Sequence, residues 1–255
     1  MVSESPRLTE QGVRIAEGVP LVAARKMLAA HMAKSHLNIP AVTILEEWNV
    51  QALVDLRRRM NERAADCDVQ PISYTHLIIR AVAQTLKQHK WLNATITESE
   101  IQILDEVNIG VAVSLPNGNL VVPVIRDADK KSVVDIAAES VELAARARTG
   151  KLRPSDVRGA TFTLTNIGIV PETRWQTPLI SSSQCAILAT GAIREAPIVR
   201  DGQLAVGRVM SASMTFDHRI VSGLPAMLFL KSLSALFDAT AGTGALDHGL
   251  GEQLT

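Results

Sequence analysis

From Leu21 to Ser35 the chain reads LVAARKMLAAHMAKS, which places Leu21, Ala24, Leu28, Ala29 and Met32 on one face of a helix. The next run, AVTILEEWNV, reads as a strand. VQALVDLRRRMNERAADC then reads as a helix with Asn49 as its cap. Ser73 opens a further helix, YTHLIIRAVAQTLKQHKWL. VNIGVAVSL and NLVVPVI flank Pro116-Asn117-Gly118, a hairpin signal whose loop can exceed two residues. Ser132 and Asp135 stand at capping-box spacing before a helix that ends near Thr149, with Gly150 as its stop. Strands follow around Thr161–Thr165 and Cys185–Thr190, and Asp201-Gly202 marks another hairpin. VMSASMTF alternates strictly: Met210, Ala212, Met214 and Phe216 face one way, Ser211, Ser213 and Thr215 the other. Pro225 suits the first turn of a final helix running to about Phe237.

The ends break this pattern. Residues 1–18 are polar and aperiodic and read as a tail or linker. Beyond Ala239 the composition turns to Gly, Thr and Asp, so 241–255 reads as a flexible C-terminal tail. What remains, 19–240, is expected to be a single α/β domain around a mixed central sheet with flanking helices. A chain of 255 residues with 47% hydrophobic content can bury such a core. Its 26 basic and 26 acidic side chains cancel, which removes any general attraction to nucleic acid or anionic lipid. The two cysteines, Cys67 and Cys185, lack zinc-ligand spacing and fit a reducing compartment. No apolar run reaches the roughly 18 residues of a membrane span, and the N-terminus has no signal-peptide pattern, so a cytoplasmic protein is expected.

Of six histidines, His31, His76 and His89 sit inside predicted helices, His36 at a helix end and His248 in the tail. Only His218 falls at a strand-to-helix junction, where a side chain can project into a cleft from rigid supports. On position alone it is either a catalyst or a structural histidine. Arg57, Arg58 and Arg59 read as the solvated face of their helix, and Ser181-Ser182-Ser183 as a loop. Asp129-Lys130, which looks like a lipoyl-attachment pair, reads as the lead-in to a helix. There is no GxSxG and no glycine-rich phosphate loop.

TFDHRIVSG, residues 215–223, resembles the DHRxxDG signature of the dihydrolipoamide acyltransferases, the core enzymes of 2-oxo acid dehydrogenase complexes. The likeness extends collinearly over about 19–238. VPLVAARKMLAAHMAKS resembles the family's opening helix, NIPAVTILEEWNV its first strand, and VNIGVAVSLPNGNLVVPVIRDADKKS its central hairpin. LRPSDVRGATFTLTNIG and TPLISSSQCAILATGAI match the next two elements. The resemblance implies a chloramphenicol acetyltransferase-like fold, a homotrimer, and active sites between subunits. Coenzyme A would enter each site from one side and the lipoyl arm from the other. It places the catalytic histidine on His218 and the oxyanion-stabilising hydroxyl on Thr165 of FTLTNIG.

So read, the chain is an acyltransferase moving an acyl group between dihydrolipoamide and coenzyme A without a metal. The lipoyl group would come from a separate lipoylated domain or protein. Decarboxylase and dihydrolipoamide dehydrogenase components are the further partners the resemblance implies. Ser222 departs from the family's usual Asp or Asn and reads as a structural support for the histidine loop, where an introduced carboxylate is expected to be buried without a partner. Two alternatives stand beside this reading: a weakly active or silent scaffold that assembles partner enzymes, and acyl transfer to a non-lipoyl acceptor. The glycine-rich, polar C-terminal run is expected to leave assembly at the trimer.

Overall fold

The segment with the clearest alternation, VMSASMTF, belongs to an interior strand of one mixed sheet. In this computed structural model, which describes residues 7–65, 69–116, 118–200 and 202–239, the order is α1 (Ala23–Asn38), β1 (Ala41–Asn49), α2 (Gln51–Ala65) and α3 (Tyr74–Gln88). Next come a 3-10 turn (Lys90–Leu92), β2 (Ala94–Ile96), β3 (Ile101–Ile103), β4 (Ile109–Val111), β5 (Val113–Ser114), β6 (Leu120–Val121) and β7 (Val124–Ile125). The chain continues through α4 (Val133–Arg148), a second 3-10 turn (Pro154–Val157), β8 (Phe162–Asn166), β9 (Ala186–Arg200), β10 (Gln203–Asp217) and α5 (Gly223–Ala239). Six strands pair in the order β1-β10-β9-β8-β4-β7. The β4–β8 and β8–β9 pairs are parallel and the others antiparallel.

From Val209 to Asp217, β10 is buried on both faces. Met210, Ala212, Met214 and Phe216 join one apolar cluster with Leu53 of α2, Leu77 of α3 and Phe229 of α5. On the other face Ser211, Ser213 and Thr215 are also buried. Their hydroxyls find partners there: Thr215 pairs with Thr43 at 2.8 Å, Ser211 donates to the Arg174 carbonyl, and Ser213 accepts from the Gln176 N–H at 3.5 Å. The segment around 173–176 therefore seals this face, and small hydroxyl residues suit it because each can be satisfied in a narrow space.

The expected caps form. Ser73 accepts from the His76 N–H at 3.3 Å while its own N–H donates to His76 Nδ1 at 3.1 Å. Ser132 and Asp135 make the same reciprocal pair, and Gly150 stops α4 at φ 68°. Asn49 Oδ1 accepts from the Gln51 N–H at 3.2 Å. The central hairpin loop is five residues, closed by the Leu115 N–H on the Asn119 carbonyl; Asn117 lies outside the described residues, as do Asp201, Cys67 and the expected C-terminal tail.

Three expectations change. Part of the supposed N-terminal tail folds into a tight turn bridged at Leu8 and Arg14, made possible by Gly12 at φ 80° and the Thr9 hydroxyl. The face assigned to the first helix is not covered within the chain. Leu28 and Ala29 are exposed, Met32 is half-buried, Leu21 precedes the helix, and the side chain of Ala24 is outside those described. The helix touches the body chiefly through buried Ser35, whose hydroxyl donates to the Ile180 carbonyl, and through Ile39 just beyond it. Arg57 is not merely solvated: its Nε donates to the Ile72 carbonyl at 2.9 Å and its guanidinium lies 4.7 Å over the Tyr74 ring.

Burial, and then the positive charge of Arg57, lower the His76 pKa to about 4 from an ordinary 6.5. The folded state therefore holds His76 neutral where the unfolded chain takes a proton. Stability from this residue is complete above about pH 6.5 and drains away as pH falls toward 4, by up to about 3 kcal/mol. His76→Gln keeps a capping-box side chain and should flatten that part of the stability-versus-pH curve. Urea midpoints measured across the window check this; equal slopes for both proteins would refute it.

Candidate active site

β10 ends at Asp217, and five residues separate it from α5. Ile220 and Val221 are buried, which leaves His218, Arg219 and Ser222 on the outside of the turn. The Asp217 N–H donates to the Cys185 carbonyl at 2.8 Å, and the His218 N–H to the Pro40 carbonyl at 3.1 Å. The imidazole lies 5.9 Å from the Phe216 ring. Asp217 is 1% exposed, and its carboxylate accepts from the Arg219 backbone N–H, Nε and Nη2. Those bonds raise the Arg219 pKa above its ordinary value. Close by, burial and the Asp217 charge push the Cys185 thiol up to about 12, so it stays protonated and unreactive.

Thr165 sits near the end of β8, half-buried. Alternation puts its side chain on the sheet face shared with Thr163, opposite Leu164 and Asn166. Asn166 secures the strand end: its Nδ2 donates to Thr75 Oγ1 at 3.0 Å and its Oδ1 accepts from the Gly168 N–H at 2.8 Å. Beside it is a cleft of about 290 Å3 lined by Tyr74, Asn166, Ile169, Pro171, Ile193 and Met210. A Cβ on Gly168 would lie 2.7 Å from the Gly191 carbonyl oxygen, so the loop closes on β9 only with glycine there. Thr75 and Asn166 were missed in the sequence. Asn two residues ahead of Gly at a strand end is the Asx-turn signal that could have found Asn166.

The remaining sequence candidates stay structural. His89 caps the end of α3 and meets Ser232 Oγ at 2.9 Å, while His31 is exposed near Ser181. Asp129 pairs with Lys87 and Lys130 with Asp127 in the turn before α4. Among the described residues no helix is long and apolar enough to cross a membrane.

Thr165 and His218 do not meet within one chain. Thr165 is level with Ala189 of β9, and Ala189 with Ser213 of β10; His218 lies five residues past Ser213. That is roughly 16 Å along the strand and about 10 Å across two strand spacings. No pair of rotamers spans such a gap.

Residues 14–242 match the family model for the catalytic domain of the 2-oxoacid dehydrogenase acyltransferases. The chain belongs to that family. The dihydrolipoyllysine-residue acetyltransferase component of the Bacillus subtilis pyruvate dehydrogenase complex is 37% identical over 216 residues, 84% of this chain and 48% of that protein. The chain thus spans about half the length of the curated relatives it matches. An Azotobacter vinelandii dihydrolipoamide acetyltransferase structure superposes with a TM-score of 0.84 at 30% identity, covering 96% of this chain and 99% of that one. It is described as bearing on the roles of a serine, a histidine and, four residues on, an asparagine in its catalytic mechanism. The cubic core of a pyruvate dehydrogenase multienzyme complex superposes equally well, with the same identity and coverage. Chloramphenicol acetyltransferase, at 14% identity and a TM-score of 0.52 over 87% of this chain and 99% of its own, shares the fold.

Ser222 occupies the position four residues after His218. The side chain is exposed within the chain and immediately precedes α5, where its carbonyl accepts from the Ala226 N–H at 3.5 Å. Within the single chain a carboxylate there would face unsatisfied N–H groups at the helix entrance. Ser222→Asp should leave stability unchanged or raise it by up to about 1 kcal/mol. A fall in the urea midpoint would show that this residue is buried on assembly without a cationic partner.

Proposed function

We propose that this acyltransferase-family chain moves an acyl group between dihydrolipoamide and coenzyme A, using His218 of one subunit and Thr165 of its neighbour. The observation that carries the reading is their placement. Both side chains are accessible on rigid strand ends, yet the register holds them far too far apart to cooperate inside one chain. A closed ring of three copies, each meeting the next through the same two surfaces, brings one residue of each kind to every interface. The uncovered apolar residues of α1 fit the same arrangement, Met27 at 74% and Leu37 at 82% exposure among them. In the Azotobacter relative a hydroxyl residue stands fifty-two positions ahead of the histidine; here the interval from Thr165 to His218 is fifty-three.

The chemistry follows from the two groups. A thiol with a pKa near 8.5 is mostly protonated at neutral pH, and a neutral imidazole takes its proton as sulfur attacks the thioester carbonyl. The carbonyl oxygen becomes an oxyanion, to which the Thr165 hydroxyl donates a hydrogen bond. Collapse of the tetrahedral adduct expels the second sulfur, and the imidazolium returns the proton to it. One histidine therefore serves both directions. The lipoyl arm is supplied by a lipoylated domain, and the setting is cytosolic, in keeping with the unpaired Cys185 thiol.

His218→Ala should abolish acyl transfer to free dihydrolipoamide without unfolding the protein. Thr165→Val should lower kcat by about 100-fold or more with little change in KM, the pattern of a contact made mainly in the transition state. Inactive His218→Ala and Thr165→Ala chains, denatured together and refolded, should recover about a quarter of the sites, since each intact site needs the right residue from each of two randomly chosen chains. Verified mixed trimers with no recovery would place the site within one chain.

Light scattering should give a particle of about 82 kDa, three chains of 27.5 kDa. A 27.5 kDa particle that retains full activity would defeat the shared site. A particle many times larger would show that assembly continues past the trimer.

A further inference from the structure

We propose that Arg219 is a positioning residue for His218, and that it acts by locking the Asp217 carboxylate rather than by touching substrate. An arginine next to a catalytic base at the protein surface invites the opposite reading, a cation waiting for an anionic substrate. The geometry argues against it. Three N–H groups of Arg219 are already directed at Asp217: the backbone N–H to Oδ1 at 3.0 Å, Nε to Oδ1 at 3.0 Å and Nη2 to Oδ2 at 2.6 Å. Nε also lies 3.2 Å from Oδ2, so the guanidinium edge is matched to the whole carboxylate in a fork that lysine cannot reproduce.

The residue it grips controls the turn. The Asp217 carbonyl accepts the N–H groups of both Ile220 and Val221, at 3.0 and 3.1 Å, and its own N–H is held by Cys185. His218, one residue on, is fixed at its N–H by Pro40 at the entrance to β1. The backbone carrying the imidazole is thus tied to two other segments and closed by one ion pair. Asp217 is 1% exposed, and among the described residues Arg219 is the only side chain bonded to its carboxylate. Without Arg219 the buried carboxylate would have to recruit other donors or reach solvent, and either change moves the turn from which His218 projects. Errors of about 1 Å at a reacting group are enough to cost orders of magnitude in rate.

The test uses the assembled protein labelled at histidine 13Cε1, with the His218 resonance assigned by its loss in His218→Ala. Wild type should show one sharp His218 signal; Arg219→Met and Arg219→Lys should both show a broadened or multiplied signal. In the transfer assay both variants should lose tenfold or more in kcat, with KM for the acyl-coenzyme A within twofold of wild type. A Lys variant that behaves like wild type would mean that charge suffices and would overturn the fork argument. A tenfold rise in KM at preserved kcat, with the His218 signal still sharp, would make Arg219 a substrate-binding residue and overturn the proposal. If Arg219→Met fails to fold, Arg219→Lys carries the same readouts. The kinetic arm rests on the acyltransfer reading. A wild type without transfer activity would sink that reading alone, leaving the resonance to decide for or against the clamp.

Discussion

Double burial of the C-terminal half of β10 is the constraint from which the remaining architecture follows. From Val209 to Asp217 the strand is paired on both edges, with β1 and β9, and covered on both faces. Its helix-side residues are apolar because they meet α2, α3 and α5. Its opposite residues are Ser and Thr because that side is closed by backbone, whose carbonyl and N–H groups need partners. Slipping the register by one residue would drive hydroxyls into the apolar cluster and methionines against peptide groups. That penalty fixes where β10 ends, and so fixes Asp217, the turn after it and the direction of α5.

Much of this is legible in the linear chain because it is local. The capping pairs at Ser73 and Ser132 and the stop at Gly150 depend on residues within a few positions of one another. The alternation of VMSASMTF shows which residues share a face, but it does not show that both faces are covered, since the covering segment at 173–176 is some 35 residues away and has no periodicity. The first helix misleads for a related reason. Its apolar spacing announces a contact, and the contact surface is absent from the single chain. Arg57 was misread because its partners, Ile72 and Tyr74, come from the next segment, brought back by the turn between two helices.

The site divides in the same way. His218 is conspicuous because it sits at the one strand-to-helix junction containing a histidine, and Ser222 because it departs from a recognisable signature. Thr165 owes its assignment to resemblance alone; a threonine in a strand rich in threonines carries no signal of its own. Asn166 and Thr75 hold the end of that strand through a side-chain bond across 91 positions, which no local rule anticipates. Ser222 stands at the entrance of α5, exposed within the single chain, so only the assembled protein shows what faces it.

The offset between Thr165 and His218 also has a bearing on the chain's behaviour at low concentration. If each site is completed only by a neighbour, a subunit newly released from synthesis carries two incomplete halves and cannot consume thioesters on its own. Specific activity then becomes a reporter of association, falling on dilution below the dissociation constant of the ring even though every subunit remains folded. Quaternary equilibrium, rather than tertiary stability, sets the lower limit of concentration at which such a catalyst works.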